Sequence, residues 1–354
     1  MSIQTLFNPF EYKNLKLKNR FVMAPMTRAF SLDGIPDSAV AGYYERRAAG
    51  DVGLILTEGT VIERPSSKNL KDIPNFYGEQ ALTGWKNIVE AVHNKGGKIA
   101  PQLWHVGYTP MQWTPPSAFE GPDTMTLADI ESTIQAYADA AKSAKELGFD
   151  AFEIHAAHGY LIDQFFWEGT NHRTDEFGGK TIKERSKFAV EVVKAMRKAV
   201  GSEFVIILRL SQWKQQDYTA KIAPTPAAME DWISPLTDAG VDIFHGSQRR
   251  YWEAEFEDSD LNFAGWLKKI SGQPTITVGS VGLDKDFGEV FTNSEFKSSP
   301  ASLDELVRRY ERGDFDLVAV GRALLQDPNW VKKVQAEKYN ELSTFEAKSL
   351  ASLS

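Results

Sequence analysis

The chain has 354 residues, of which 42% are hydrophobic and 12% aromatic, enough apolar material for a large core. Its net charge of -8 argues against a nucleic-acid or anionic-membrane partner, since either selects a basic face. The absence of cysteine excludes disulfides, thiolate nucleophiles, iron–sulfur clusters and cysteine-bound zinc. With neither a basic-then-apolar leader nor a run of about 18 apolar residues, a soluble cytoplasmic protein is expected.

Short apolar runs at 21–26, 52–57, 98–104, 149–154, 204–210, 241–245, 274–278 and 317–320 predict strands. Between them, helical periodicity marks 37–49, 79–95, 126–147, 182–200, 226–239, 261–270, 302–312 and 328–338. Thr126 and Ser302 stand where helices begin, and Gly148 and Gly240 where they end. Strict alternation of eight strands and eight helices predicts a (β/α)8 TIM barrel, an α/β fold, with 1–354 as one domain. In such a barrel chemistry belongs at the carboxyl ends of the strands, where 108–122 and 283–300 are expected to form active-end loops.

The fourth strand runs into His155-Ala156-Ala157-His158-Gly159-Tyr160. Neutral imidazoles donate hydrogen bonds near pH 7, and a phenol can release a proton to a strong carbanion base. Two donors and an acid at one strand end suit addition across a conjugated carbonyl. The alternative is a pair of satisfied histidines beside a packed tyrosine. After runs seven and eight, Gly279-Ser280-Val281-Gly282 and Gly321-Arg322 suit a phosphate site built from free amides and a guanidinium. Alternatively these glycines serve tight turns alone. Spacing leaves open whether that phosphate belongs to a cofactor or a substrate. His93, His105, His172 and His245 show no metal-ligand spacing, and no metal is expected. Arg249-Arg250-Tyr251-Trp252 follows run six, where it either touches substrate or nicotinamide or forms a solvated loop.

Several segments together resemble the Old Yellow Enzyme family of FMN-dependent ene reductases. They are Asn19 to Arg28, Thr57-Glu58-Gly59, Gln102-Leu103-Trp104-His105, Glu153 through Asn171 to Gly179, Arg209-Leu210-Ser211 and Val320 to Leu324. The resemblance spans nearly the whole chain, and its most specific part is the run from Arg173 to Gly179. It implies non-covalent FMN, reduced by NADPH or NADH, and a small α,β-unsaturated carbonyl as substrate. By the same resemblance, Pro25, Met26 and Thr27 would lie along the flavin ring, and Gly59 would let backbone approach it. Gln102 and Arg209 would hold the pyrimidine edge, while Gly279, Ser280, Gly321 and Arg322 would bind the phosphate. His155 and His158 would hold the substrate oxygen, Tyr160 would protonate carbon, and Trp104 would wall the pocket.

The chain departs from the family pattern at Tyr108, where many members carry Arg, and at Gln212, where Pro is common. Lys183-Glu184-Arg185 replaces the usual Glu-Asn-Arg, and Thr27 stands where one subfamily has Cys. At His158 many relatives have Asn; an imidazole that charges below about pH 6.5 predicts a pH dependence which asparagine would lack. Two other functions compete. A flavin-free barrel lyase or aldolase would leave Gln102, Arg209 and Tyr160 without work. A non-catalytic flavin-binding protein would not need the His155, His158 and Tyr160 trio. Whether the chain is a monomer or a homo-oligomer stays open.

Overall fold

The computed structural model describes residues 2–111, 113–288, 290 and 293–354. Eight parallel strands close a barrel: β1 (Phe21–Met23), β2 (Leu54–Val61), β3 (Ile99–Trp104), β4 (Ala151–His158), β5 (Val205–Lys214), β6 (Ile243–Ser247), β7 (Thr275–Val278) and β8 (Leu317–Val320). Neighbours in the barrel are neighbours in sequence, and β8 closes the ring on β1 with Val318 opposite Phe21. Helices outside and apolar residues inside bury both faces of each strand, which is why the runs read as continuously hydrophobic.

An antiparallel hairpin, Phe10–Tyr12 with Leu15–Leu17, plugs the amino end. Phe10, Leu15 and Leu17 share one cluster with Leu54, Val205 and Leu317, residues at the starts of β2, β5 and β8. At the hairpin tip, Asn14 Nδ2 donates to Asp150 O at 2.8 Å and its Oδ1 accepts from Val205 N at 3.0 Å. With this end sealed by apolar packing, the polar residues of the barrel interior are confined to the carboxyl end.

The main outer helices are α1 (Ser38–Ala49), α2 (Glu79–Asn94), α3 (Leu127–Glu146), α6 (Lys187–Val200), α7 (Pro226–Ala239), α8 (Phe263–Ser271) and α9 (Asp304–Arg312). Thr126 caps α3 in a reciprocal box with Asp129, and Gly240 ends α7 in the left-handed region. Ser302 Oγ accepts from Asp304 N at 3.1 Å, capping α9 from two residues upstream. The helix expected over 182–200 is two: α5 (Ile182–Arg185) and α6, divided at Ser186. Ser186 Oγ donates back to Ile182 O at 2.8 Å, a bond that competes with the helix ladder. The helix expected over 328–338 is shorter, α11 (Trp330–Gln335), and two short helices were not expected: α4 (Leu161–Phe166) and α10 (Arg322–Gln326).

Strand ends differ more usefully. β1 stops at Met23, leaving residues 24–28 to turn across the barrel mouth. β2, β4 and β5 run four residues past their expected ends, because polar side chains break the apolar pattern while strand pairing resumes beyond a register shift, between Leu56 and Gly59 in β2 and between Ala156 and His158 in β4. Gly59, His155, His158 and Ser211 therefore stand on strands, not in the loops after them. Among the described residues no helix is long and apolar enough to cross a membrane.

If the hairpin seals the barrel, Leu15→Ala should lower the free energy of unfolding by ~2–5 kcal/mol. A urea titration checks this, and an unchanged midpoint would rule the plug out as a stabilising element.

Candidate active site

The end of β4 is a hook. Its pairing with β5 slips between Ala156 and His158, and His158 (φ +66°) and Gly159 (φ +83°) then turn the chain into Tyr160, which precedes α4. A non-glycine residue at positive φ is costly, so neighbours must hold it. β5 provides most of them. Ser211 Oγ accepts from His158 N at 2.9 Å, and just past the strand Gln215 N donates to His158 O at 3.3 Å. From α4, Asp163 Oδ2 accepts from Gly159 N at 2.5 Å. Asp163 Oδ1 in turn takes Lys214 Nζ at 2.9 Å, in an ion pair with no solvent exposure on either side chain. Lys214 also donates to Gln212 O at 2.9 Å, so all of this ammonium's visible partners are internal. Burial pushes the Asp163 carboxyl up to about 6 despite that ammonium, and pulls Lys214 below its ordinary value.

This hook gathers four residues singled out from sequence. The His155 ring centroid lies 5.1 Å from that of His158 and 5.0 Å from that of Tyr160. Trp104 stacks against His155 at 5.9 Å and meets Tyr160 edge-on at 4.7 Å. On the far side Trp213 stacks on His158 at 4.4 Å, and Tyr218 stacks on Trp213 at 5.5 Å. Trp213 and Tyr218 were not singled out from sequence. The signal available was Gln212: with no proline after Arg-Leu-Ser, β5 keeps its backbone donors and continues through Lys214.

Protonation states follow from burial. Both histidines are pushed well below the usual imidazole value, by desolvation first and the nearby Arg209 charge second. Both are held in the neutral form near pH 7, which runs against the expected titration of His158 near pH 6.5. His155 Nδ1 accepts from Ala157 N at 3.4 Å, leaving the hydrogen on Nε2. Burial pushes the Tyr160 phenol up to about 12, and a hydrogen bond from Gln215 Nε2 to its oxygen at 2.9 Å partly offsets that. The phenol stays protonated, and its own hydrogen is left free to point elsewhere.

Below the hook lies a buried polar layer inside the barrel. Gln102 Nε2 donates to Glu153 Oε1 at 2.7 Å, and His245 Nδ1 donates to Glu153 Oε2 at 2.6 Å. Glu153 and His245 had no role assigned from sequence, although a carboxylate in the middle of an apolar strand is itself a signal. Arg209 is buried beside this layer, and its one hydrogen bond among the described residues is from Nη2 to Ser247 Oγ at 3.3 Å. Its Nε is sealed and unpartnered.

The remaining expected cofactor residues form two groups. Pro25 and Met26 are half-buried and Thr27 is exposed, at the mouth beside Gly321, where a Cβ would lie 3.6 Å from Met26 Sδ. At Gly59 a Cβ would lie 2.4 Å from Trp104 Cε3, so the glycine makes room for that indole. Gly279 has φ +136° and would put a Cβ 2.5 Å from Gln248 O. Next to it, Ser280 Oγ lies 3.4 Å from Arg322 Nη2. Arg322 donates to Asp286 O at 3.0 Å and Lys285 O at 2.5 Å, and burial pulls it down to about 10.

Arg249 and Arg250 both bind the Asp286 carboxylate, at 2.9 and 2.6 Å, and Tyr251 is buried, so this run is not simply a solvated loop. Tyr108 is exposed. In the 108–122 segment Glu120 binds His105 Nε2 at 2.8 Å and also pairs with Arg64. Gln112 of that segment, and Glu289, Phe291 and Thr292 of 283–300, lie outside the described residues.

Two cations thus face the mouth without a carboxylate within ion-pairing distance among the described residues: Arg209 in the barrel and Arg322 at its rim. For Arg209, a buried guanidinium lacking a counter-charge is strongly disfavoured. An electron-rich ring edge would satisfy it, and a phosphate would suit the partly buried Arg322, so the residues present fit FMN.

Lys214→Met would leave Asp163 buried and unpaired, at a cost of ~3–5 kcal/mol. Chemical denaturation should show that loss in the single variant and substantial recovery in Lys214→Met/Asp163→Asn. Equal destabilisation in both would mean that charge pairing is not what holds the hook.

A family model described as the NADH:flavin oxidoreductase / NADH oxidase family matches residues 5–297. A putative 12-oxophytodienoate reductase 2 of Oryza sativa subsp. japonica is 39% identical over 346 residues, covering 88% of this chain and 90% of that protein. An NADH oxidase of Thermoanaerobacter brockii is 32% identical over 359 residues and 95% of this chain, which spans only 52% of that relative's length. Among solved structures, morphinone reductase in complex with tetrahydroNAD aligns with a TM-score of 0.74 at 28% identity, covering 94% of this chain and 90% of that one. The chain therefore belongs to the NADH:flavin oxidoreductase / NADH oxidase family, the Old Yellow Enzyme family of NAD(P)H-dependent flavin oxidoreductases.

Proposed function

We propose that residues 1–354 act as one FMN-binding unit that reduces the C=C bond of α,β-unsaturated carbonyl compounds. The observation that carries this reading is the convergence of His155, His158 and Tyr160, with ring centroids about 5 Å apart, above the unpaired Arg209. Pro25, Met26 and Thr27 would flank the flavin ring, and Gln102 and Arg209 its pyrimidine edge. Gly279, Ser280, Gly321 and Arg322 would hold its phosphate. When bound, FMN would accept hydride from NADPH or NADH and deliver it to the β-carbon of the alkene.

The protein residues handle the rest of the charge. His155 and His158 donate hydrogen bonds to the carbonyl oxygen as negative charge builds there; removing one such donor typically costs about 10²–10³ in rate. Tyr160 gives its phenolic proton to the α-carbon, completing addition of one hydride and one proton across the double bond. Gln215 donates into the phenol oxygen and so stabilises the phenolate that remains. Trp104 packs against both His155 and Tyr160 and keeps water from that corner.

Purified protein should be yellow, its colour bleached anaerobically by NADPH and restored by cyclohexenone. Colourless protein would favour the lyase reading, and bleaching without reoxidation the storage reading. Tyr160→Phe should slow enone-driven reoxidation about 10²–10⁴-fold, measured by stopped-flow absorbance. Because burial keeps His158 neutral, the pH profiles of wild type and His158→Asn should have the same shape between about pH 6 and 8. A wild-type step near pH 6.5 that vanishes in the variant would contradict the neutral-donor assignment.

A further inference from the structure

Ser247, the last residue of β6, is buried between two site residues. Its hydroxyl oxygen lies 2.8 Å from His158 Nε2 and 3.3 Å from Arg209 Nη2. A guanidinium can only donate, so Arg209 uses a lone pair on that oxygen. The hydroxyl hydrogen then needs an acceptor. Among the described residues His158 Nε2 is the one within reach. The reverse arrangement, with Nε2–H donating to serine, would strand a buried hydroxyl hydrogen, which protein interiors avoid. The bond from Arg209 also polarises the hydroxyl and makes it a better donor.

Trp213 holds the ring that receives this bond. It stacks on His158 with 23° between the planes, and its Nε1–H donates to Ser247 O at 3.1 Å. Ring plane and serine backbone are thus fixed by one side chain. The serine hydroxyl decides which imidazole nitrogen carries the hydrogen.

We propose that Ser247 is a positioning residue that holds His158 in the Nδ1–H tautomer, making Nδ1 the donor offered to the substrate carbonyl. Among the described residues His158 Nδ1 has no hydrogen-bond partner of its own, so it is free for that task. The oxyanion pair is then His155 Nε2–H and His158 Nδ1–H, two different nitrogens set by two different acceptor contacts. This inference rests on the ene-reductase reading, in which both histidines face the substrate oxygen.

The test is ¹⁵N NMR of the holoenzyme labelled in its histidine rings, with His158 identified by the signals lost in His158→Asn. Wild type should show a protonated Nδ1 and an unprotonated Nε2. Ser247→Ala should shift His158 towards the Nε2–H form, and Ser247→Thr, which keeps a hydroxyl, should restore it. Enone-driven reoxidation should slow about tenfold or more in Ser247→Ala and recover in Ser247→Thr. A wild-type Nε2–H form, or a spectrum unchanged by Ser247→Ala, overturns the proposal. Nδ1–H in a wild-type protein that reduces no enone overturns the functional reading and supports the tautomer assignment.

Discussion

The Lys214–Asp163 ion pair is the constraint on which the site geometry depends. Neither side chain reaches solvent, and each arm of the pair is tied to backbone that must be held: Asp163 to Gly159 N, Lys214 to the carbonyl of Gln212. Such a pair gives little net stability when compared with apolar packing, because desolvation offsets the attraction. What it contributes here is position. It joins the end of β5 to α4 across the one turn where His158 adopts positive φ, and so sets the direction of the two imidazoles and the phenol.

Beneath that turn the barrel separates two kinds of interior. The amino half is apolar and closed by the hairpin, whereas the carboxyl half holds Gln102, Glu153 and His245 in a hydrogen-bonded set with Arg209 alongside. Inside the barrel, buried charge is therefore concentrated at the end a ligand can reach. Burial first, and the positive field of Arg209 second, hold both imidazoles below their ordinary value, so the barrel interior and the histidine pair are electrostatically linked.

The alternation of elements, the barrel and the His155, His158 and Tyr160 cluster were all legible in the sequence, because long-range order here follows from periodicity and strand ends. What stayed hidden were properties of partners. Ser247, Trp213 and Gln215 are ordinary residue types whose importance comes from what lies opposite them in space. Strand ends were misplaced where polar residues broke the hydrophobic pattern while pairing resumed beyond a slip, as between Ala156 and His158. Gly59 shows the same limit: a glycine advertises that something approaches, and Trp104 is what does.

Met26 and Gly321 come from distant parts of the chain and meet where β1 pairs with β8. Every other pair in the barrel joins strands consecutive in sequence, so the entropy of loop closure is concentrated at this junction. Residues 25–27 follow β1 and Arg322 follows β8, so they stand on its two sides. A ligand that bridged them would have affinity for the closed ring and none for the opened one, and its binding free energy would add directly to ring closure. Ligand binding across the β1–β8 junction and completion of the barrel would then be one linked equilibrium.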